Sequence, residues 1–276
     1  MGENLEMKAT AQKQINLASY LDTLQAQGKY WLTKKETVSA IAVTDKAFNK
    51  AMNRLAKQNK IARVRNGFYV IVPPEYRTSK ALPPTHYIDA LMKFLKQPYY
   101  VGVLSASALH GSSHQSPQEL QVVTSKPIPM IEIGNTRIRF LTKKGIAKTP
   151  TQQIKTPTGF MTVSTPAATI IDLLRYVRVA GHLDNVATAI IEMLENINTT
   201  DLIKVATQEK DLSYIQRLGY LIDRFSKNKT ASRGLHKLIE ERHPSFIFLR
   251  PDIRKGVIER NHKWNLFINT EVEPDL

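Results

Sequence analysis

Apolar positions change period several times along the first quarter of the chain, and the changes mark out its elements. Ile15, Leu17, Ala18, Leu21 and Leu24 recur at helical spacing, which predicts a helix over Ile15–Ala26 that stops at Gly28. Tyr30-Trp31-Leu32 predicts a short edge strand. Thr33 followed by Glu36 is a capping box, in which the hydroxyl accepts from a free backbone N–H and the carboxylate reaches back. It opens a short helix ending near Ile41, and Ala42-Val43 leaves room only for a tight turn. Thr44 caps the next helix, with Asp45 at the positive end of its dipole. There Phe48, Ala51, Met52 and Leu55 fall at i, i+3, i+4 and i+7, one apolar face. Lys46, Asn49, Lys50, Asn53, Arg54 and Lys57 fall on the opposite face, with no acid after Asp45. Ile61–Arg65 and Phe68–Val72 flank Asn66-Gly67, a pair that tolerates positive φ and predicts a type I′ hairpin. Helix, turn, basic helix and basic hairpin, in that order, predict a winged helix-turn-helix over residues 1–75.

Val72-Pro73-Pro74 ends the second hairpin strand, because proline cannot donate to a ladder. Prolines and charges alternate over residues 76–86, which predicts a semi-rigid linker. A different regime follows over residues 87–276. Ile88–Leu95 predicts a short amphipathic helix, and Tyr99-Tyr100-Val101-Gly102-Val103 leads into a helix from Ser105 that Gly111 stops. Leu120–Val123, Ile138–Leu141 and Met161–Val163 read as strands, with a turn at Gly134-Asn135. Ser164-Thr165-Pro166 caps and starts a helix containing Ile170, Ile171, Leu173, Leu174 and Val177. Further helices are predicted at Leu183–Ile197, Asp201–Gln208, Ser213–Phe225 and Leu235–Arg242, then strands at Phe246–Leu249 and Leu266–Asn269. The fold class expected is α+β: a winged helix-turn-helix followed by a mixed α/β domain. The sheet of that domain would recruit strands from both ends, with inserted helices over about residues 164–243.

Composition adds a partner to this picture. The chain of 276 residues carries a formal net charge of +15, with a pI near 9.8. Such an excess favours a polyanion, through phosphate neutralisation and counterion release, and roughly half of it lies in the first third of the sequence, where the basic helix and hairpin sit. The chain has no cysteine, which excludes disulfides, thiolate nucleophiles and Cys-ligated metal sites. No run of about 18 apolar residues is present, and Met1–Lys13 is broken by Glu3, Glu6 and Lys8. A cytoplasmic protein without a membrane partner is expected.

The basic helix supplies the candidate site. A recognition helix enters the major groove with its first residues nearest the base edges, while flanking cations and the wing hold phosphates. Amide and cationic side chains suit purine edges, so Asn49 and Lys50 are assigned to bases, beside Lys46 and Asn53. Arg54, Lys57, Lys60, Arg63 and Arg65 are assigned to phosphates or the minor groove, and Lys34 and Lys35 to the backbone. A second basic set combines Arg137 and Arg139, two apart on one strand face, with Lys143, Lys144 and Lys148. It would extend the DNA contact, bind RNA, face an acidic partner, or simply guard a strand edge against aggregation.

Candidate catalytic chemistry is sparse. His110 and His114 stand four apart, but Gly111 and Ser112-Ser113 break the helix between them, so a capping or core role is expected for His110. His236, His243 and His262 are scattered. Asp172, inside an apolar helix, is expected to pair with Arg175 or Arg178. No Gly-rich phosphate loop, Gly-x-Ser-x-Gly or carboxylate pair stands out. Neither an enzyme nor a cofactor is expected.

A succession of segments carries a resemblance. The winged helix is followed by Tyr100-Val-Gly-Val-Leu-Ser-Ala-Ser-Ala-Leu-His-Gly111 and Gln115 to Val123. Then come Val163-Ser-Thr-Pro-Ala-Ala-Thr-Ile-Ile-Asp-Leu-Leu174 and Gln216-Arg-Leu-Gly-Tyr-Leu-Ile-Asp223. In this order they resemble the AbiEi family, antitoxins of a bacterial abortive-infection toxin–antitoxin pair. The resemblance implies an N-terminal domain that binds inverted repeats in double-stranded DNA of its own promoter and represses transcription. It implies a C-terminal domain that counteracts an AbiEii-like nucleotidyltransferase toxin, as a type IV system in which no stable complex is required. Two other readings remain beside it: a ligand-sensing winged-helix regulator without a toxin partner, and a nucleic-acid-processing enzyme.

Overall fold

The computed structural model describes residues 16–112, 117–253 and 256–275. The chain is mixed α/β and divides into two compact units, one of Met1–Leu91 with Ile133–Thr136 and one of Met92–Glu132 with Arg137–Leu276.

In the first unit, α1 (Leu17–Ala26) starts where the Asn16 side chain accepts from Ser19 N at 2.9 Å; Ile15 lies outside the described residues. β1 (Trp31–Thr33) leads directly into α2 (Lys34–Ile41), whose first turn is closed by Thr33 Oγ1 accepting from Glu36 N at 3.2 Å. Ala42, at φ +50°, ends α2 in the left-handed region. Thr44 Oγ1 then accepts from Ala47 N at 3.2 Å and opens α3 (Asp45–Lys57). β2 (Ile61–Arg65) and β3 (Phe68–Ile71) form an antiparallel hairpin, and β1 adds to the free side of β3 in the order β1-β3-β2. Leu21, Leu24, Leu32, Phe48, Met52, Leu55, Ile61, Tyr69 and Ile71 form one buried cluster. The helical face and the hairpin thus share a core, with the Phe48 and Tyr69 rings edge to face at 5.8 Å.

The hairpin turn differs from expectation. Gly67 takes positive φ (+81°) but Asn66 does not, so the turn is not type I′, which needs both. The register slips between Arg63 and Arg65, and a bulge of this kind supplies local right-handed twist that a primed turn would otherwise provide. Residues 76–86 contain Ala81 and Leu82, both buried, and are bracketed by 3-10 turns at Pro74–Tyr76 and Pro84–His86. They fall in the first unit. The next helix is α4 (Ile88–Phe94).

The second unit is built on a six-stranded sheet. Its strands are β4 (Tyr99–Val101), β5 (Leu120–Thr124), β6 (Ile131–Ile133), β7 (Thr136–Thr142), β8 (Thr151–Thr156) and β9 (Gly159–Ser164), with α5 (Val103–Leu109) following β4. The order is β6-β7-β5-β4-β9-β8, with β5 parallel to β7, β4 parallel to β9 and antiparallel pairs at β4–β5 and β8–β9. Then come α6 (Pro166–Arg175), α7 (His182–Leu194), α8 (Thr199–Gln208), α9 (Leu212–Phe225) and α10 (Lys229–Arg242). Thr165 caps α6 with Pro166 at its first position, and Val177 lies beyond its end. α10 begins earlier than Leu235 because Asn228 caps it, accepting from Ala231 N at 3.0 Å.

β10 (Ile247–Phe248), β11 (Glu259–Asn261) and β12 (Leu266–Ile268) form a separate sheet, ordered β10-β12-β11. The expectation that one sheet recruits strands from both ends is therefore corrected. The physical reason lies on α9. Gln216 Nε2 sits within 3.0–3.1 Å of the Ser245, Trp264 and Asn265 carbonyls. Arg217 donates to the carbonyls of Leu249 at 2.8 Å and Phe248 at 2.9 Å. Helix α9, not the large sheet, holds the late strands.

Candidate nucleic-acid interface

Lys46, Asn49, Lys50, Asn53, Arg54 and Lys57 are all exposed on α3, while Phe48, Met52 and Leu55 are buried. At 3.6 residues per turn the six polar positions span an arc of about 140°, centred roughly opposite the buried three. The strip from Lys46 to Lys57 is about 16 Å long by the helical rise. Lys60 and Arg63 are exposed beyond the end of α3 and along β2, and Arg65 is half-buried at the hairpin tip. Lys35 is exposed on the first turn of α2. Lys34 differs, because its Nζ lies 2.8 Å from Asp45 Oδ2. That ion pair ties the start of α2 to the start of α3 and partly neutralises Lys34. Sequence reasoning missed Lys29, which lies 4.0 Å over the Trp31 ring and 3.5 Å from Glu36.

The second basic set does not form a continuous cationic face. Arg137 Nε lies 3.3 Å from Glu132, Arg139 Nε 2.5 Å from Glu119, and Lys143 Nζ 2.8 Å from Asp172. Lys143 has turned inward, with its side chain only 13% exposed. Lys144 and Lys148 are exposed. Pairs separated by 20 and 29 residues leave no periodic signal, so the sequence offered these cations without their acids.

Asp172 is fully buried on α6 and is the hub of the polar interior. Its Oδ2 accepts from the Tyr100 hydroxyl at 2.6 Å, its Oδ1 from Lys143 Nζ at 2.8 Å, and Arg175 Nε stands 3.6 Å away. The pairing expected with Arg175 or Arg178 is thus mainly a pairing with Lys143, and Arg178 is exposed. Burial first, and then the Asp172 charge, push the Tyr100 phenol far above its ordinary pKa, so it remains a donor to the carboxylate. Arg175 Nη2 reaches Glu209 Oε2 at 2.5 Å.

The other resemblance segments are likewise engaged internally. His110 Nε2 lies 2.7 Å from the Ser164 carbonyl, joining α5 to the end of β9, and burial pulls its pKa down. His114 lies outside the described residues. Trp264 packs directly on Gly219, and its Nε1 donates to Asp223 Oδ2 at 2.8 Å. Lys263 Nζ binds the same oxygen at 2.6 Å. Among the described residues no group of three or more His, Cys, Asp or Glu is placed to hold a metal ion.

A mixed α/β domain whose motif residues lock β4, β9, α5, α6 and α9 together is the class that this geometry defines. Residues 100–224 match the family model described as AbiEi antitoxin C-terminal domain, which supports the AbiEi family for that stretch. The match supports an antitoxin role in a toxin–antitoxin system, and with it a toxin as partner. Among solved structures, the RV2827C protein from Mycobacterium tuberculosis is similar at a TM-score of 0.63 and 12% identity, over 90% of this chain and 89% of that one. That likeness speaks for a shared fold. An antigenic nucleotidyltransferase-like protein from Paracoccidioides brasiliensis reaches a TM-score of only 0.32 at 10% identity, over 56% of this chain and 85% of that one, and carries no argument. No curated protein is matched by the sequence. Among the described residues no helix is long and apolar enough to cross a membrane.

Proposed function

We propose that this protein is the antitoxin of a type IV abortive-infection pair and represses its own operon through an N-terminal winged helix. The observation that carries the DNA reading is the exposed strip of α3, acid-free after Asp45, beside the Arg63-bearing hairpin. In this reading α3 enters the major groove, with Asn49 and Lys50 near base edges and Arg54, Lys57, Lys60 and Arg63 on phosphates. An α-helix, about 10–12 Å across with its side chains, fits a major groove about 12 Å wide. The target is double-stranded DNA at inverted repeats in the promoter. The second unit opposes an AbiEii-like nucleotidyltransferase toxin without requiring a stable complex, and acts in the cytoplasm by binding rather than catalysis.

A gel-shift titration against the upstream region of its own gene tests the first half. Lys50→Ala is expected to weaken binding by about 1–3 kcal/mol, roughly 5- to 150-fold, and to relax sequence preference. Affinity for the unaltered protein should fall steeply with salt as counterions are released. Unchanged affinity in Lys50→Ala would remove that residue from the interface, and salt-insensitive binding would remove the groove model.

Rescue from toxin growth arrest in co-expression tests the second half. Lys144 and Lys148 are exposed members of the second basic set and make no contact with the Asp172 hub among the described pairs, so reversing both to Glu should not disturb that buried hub. We expect normal operator affinity with reduced rescue. Full rescue by the double reversal would show that this edge has no part in neutralisation.

A further inference from the structure

The second unit contains a cavity of about 490 Å³ between the end of α6, the starts of α7 and α9, and the segment after β10. That size falls within the range of small-molecule sites, about 300–1,000 Å³. Its walls are mainly apolar, with Leu183 and Leu249 among them, yet Arg175, Arg178, Arg217 and Arg250 all line it. Asp252, paired with Arg250 at 3.2 Å, is the one carboxylate among its described lining residues.

One of these arginines, Arg217, is held in a way that leaves positive charge in the cavity. Arg217 is only 9% exposed, and its guanidinium donates to the carbonyls of Leu249, Phe248 and Ser213. Carbonyl dipoles orient a buried guanidinium but do not cancel its charge, and a buried charge without a counter-ion is costly. The acid whose field reaches it is Asp211. Arg175 is already countered, its Nη2 bound to Glu209 and its Nε, which makes no hydrogen bond, 3.6 Å from Asp172. Arg178 stands exposed at the rim. The first turn of α7 also faces this space through His182 and Leu183, and its N-cap Gly181 brings no side-chain acceptor to the free backbone donors.

We propose that this cavity binds a small organic anion, an apolar or aromatic body carrying one acidic group. The apolar walls take the body, while Arg178 and Arg217 take the charge. The site is separate from the DNA reading and does not depend on it.

The test uses the full chain and a pair of fluorescent probes, 8-anilinonaphthalene-1-sulfonate and its uncharged counterpart N-phenyl-1-naphthylamine. Saturable one-to-one binding of the sulfonate is expected, at least tenfold tighter than the neutral probe. Arg178→Glu should weaken the sulfonate at least tenfold and the neutral probe less than twofold. Val177→Trp, which fills the space from its half-buried wall, should weaken both; thermal melts confirm that each variant is folded. No saturable binding, equal affinity for the two probes, insensitivity of the sulfonate to Arg178→Glu, or full binding in folded Val177→Trp would each overturn the proposal.

Discussion

Asp172→Ala is expected to lower the unfolding free energy by about 3–5 kcal/mol, the usual cost of breaking a buried ion pair from one side. The side chain is fully buried, and its loss deprives Lys143 Nζ, the Tyr100 hydroxyl and the nearby Arg175 of their shared acceptor. Most of the penalty comes from the cation left behind rather than from the intrinsic strength of the pair. Replacing both partners, Asp172→Leu with Lys143→Met, should therefore recover much of the loss, because an apolar pair of similar volume needs no counter-charge. Urea unfolding of the three proteins checks this. A single-variant loss below about 1 kcal/mol would mean that water reaches the site and the hub is not dry.

Gly219→Ala should destabilise the protein by about 3 kcal/mol or more, at or above the upper end of ordinary overpacking. A Cβ there would lie 2.0 Å from Trp264 Cζ3 and 2.2 Å from Cη2. The indole has nowhere to move, being fully buried and held through Nε1 by Asp223. Gly234→Ala on α10 is the informative contrast. Its Cβ would meet Ile203 Cδ1 at 2.6 Å, the flexible end of a side chain, and alanine gains up to about 1 kcal/mol over glycine in a helix. The first variant should shift Trp264 fluorescence and the unfolding midpoint together, and the second should move the midpoint little. Equal, small effects would show that the α9 contact with Trp264 relaxes more easily than its geometry implies.

These two cases also show what local pattern conveys. Thr33 and Thr44 announce their helices because a cap is written within three residues, and Phe48, Met52 and Leu55 announce the buried face because α3 repeats it. The candidate DNA strip was legible for the same reason: it is the complement of that face. Lys143 was grouped with a basic surface set because its acid lies on α6, and nothing in the local sequence names a partner that far along the chain. β8 was missed because it is an edge strand, Thr-Gln-Gln-Ile-Lys-Thr, mostly exposed and lacking the apolar alternation that marks half-buried strands. The separate late sheet was invisible because the short runs at Ile247–Phe248 and Leu266–Ile268 reveal β character but not their neighbours. Topology entered through Gln216 and Arg217, two polar residues whose acceptors lie beyond α10.

The same two residues define where the molecule can be shortened. Ending the chain after Arg242 would leave an amide and a guanidinium stranded on a dry helix face, at a cost of about 1–3 kcal/mol for each unanswered donor and more for the charged one. The terminal segment is thus a closing seal for the antitoxin domain and unfolds with it, and a minimal fragment able to stand alone has to carry Trp264 and its flanking strands.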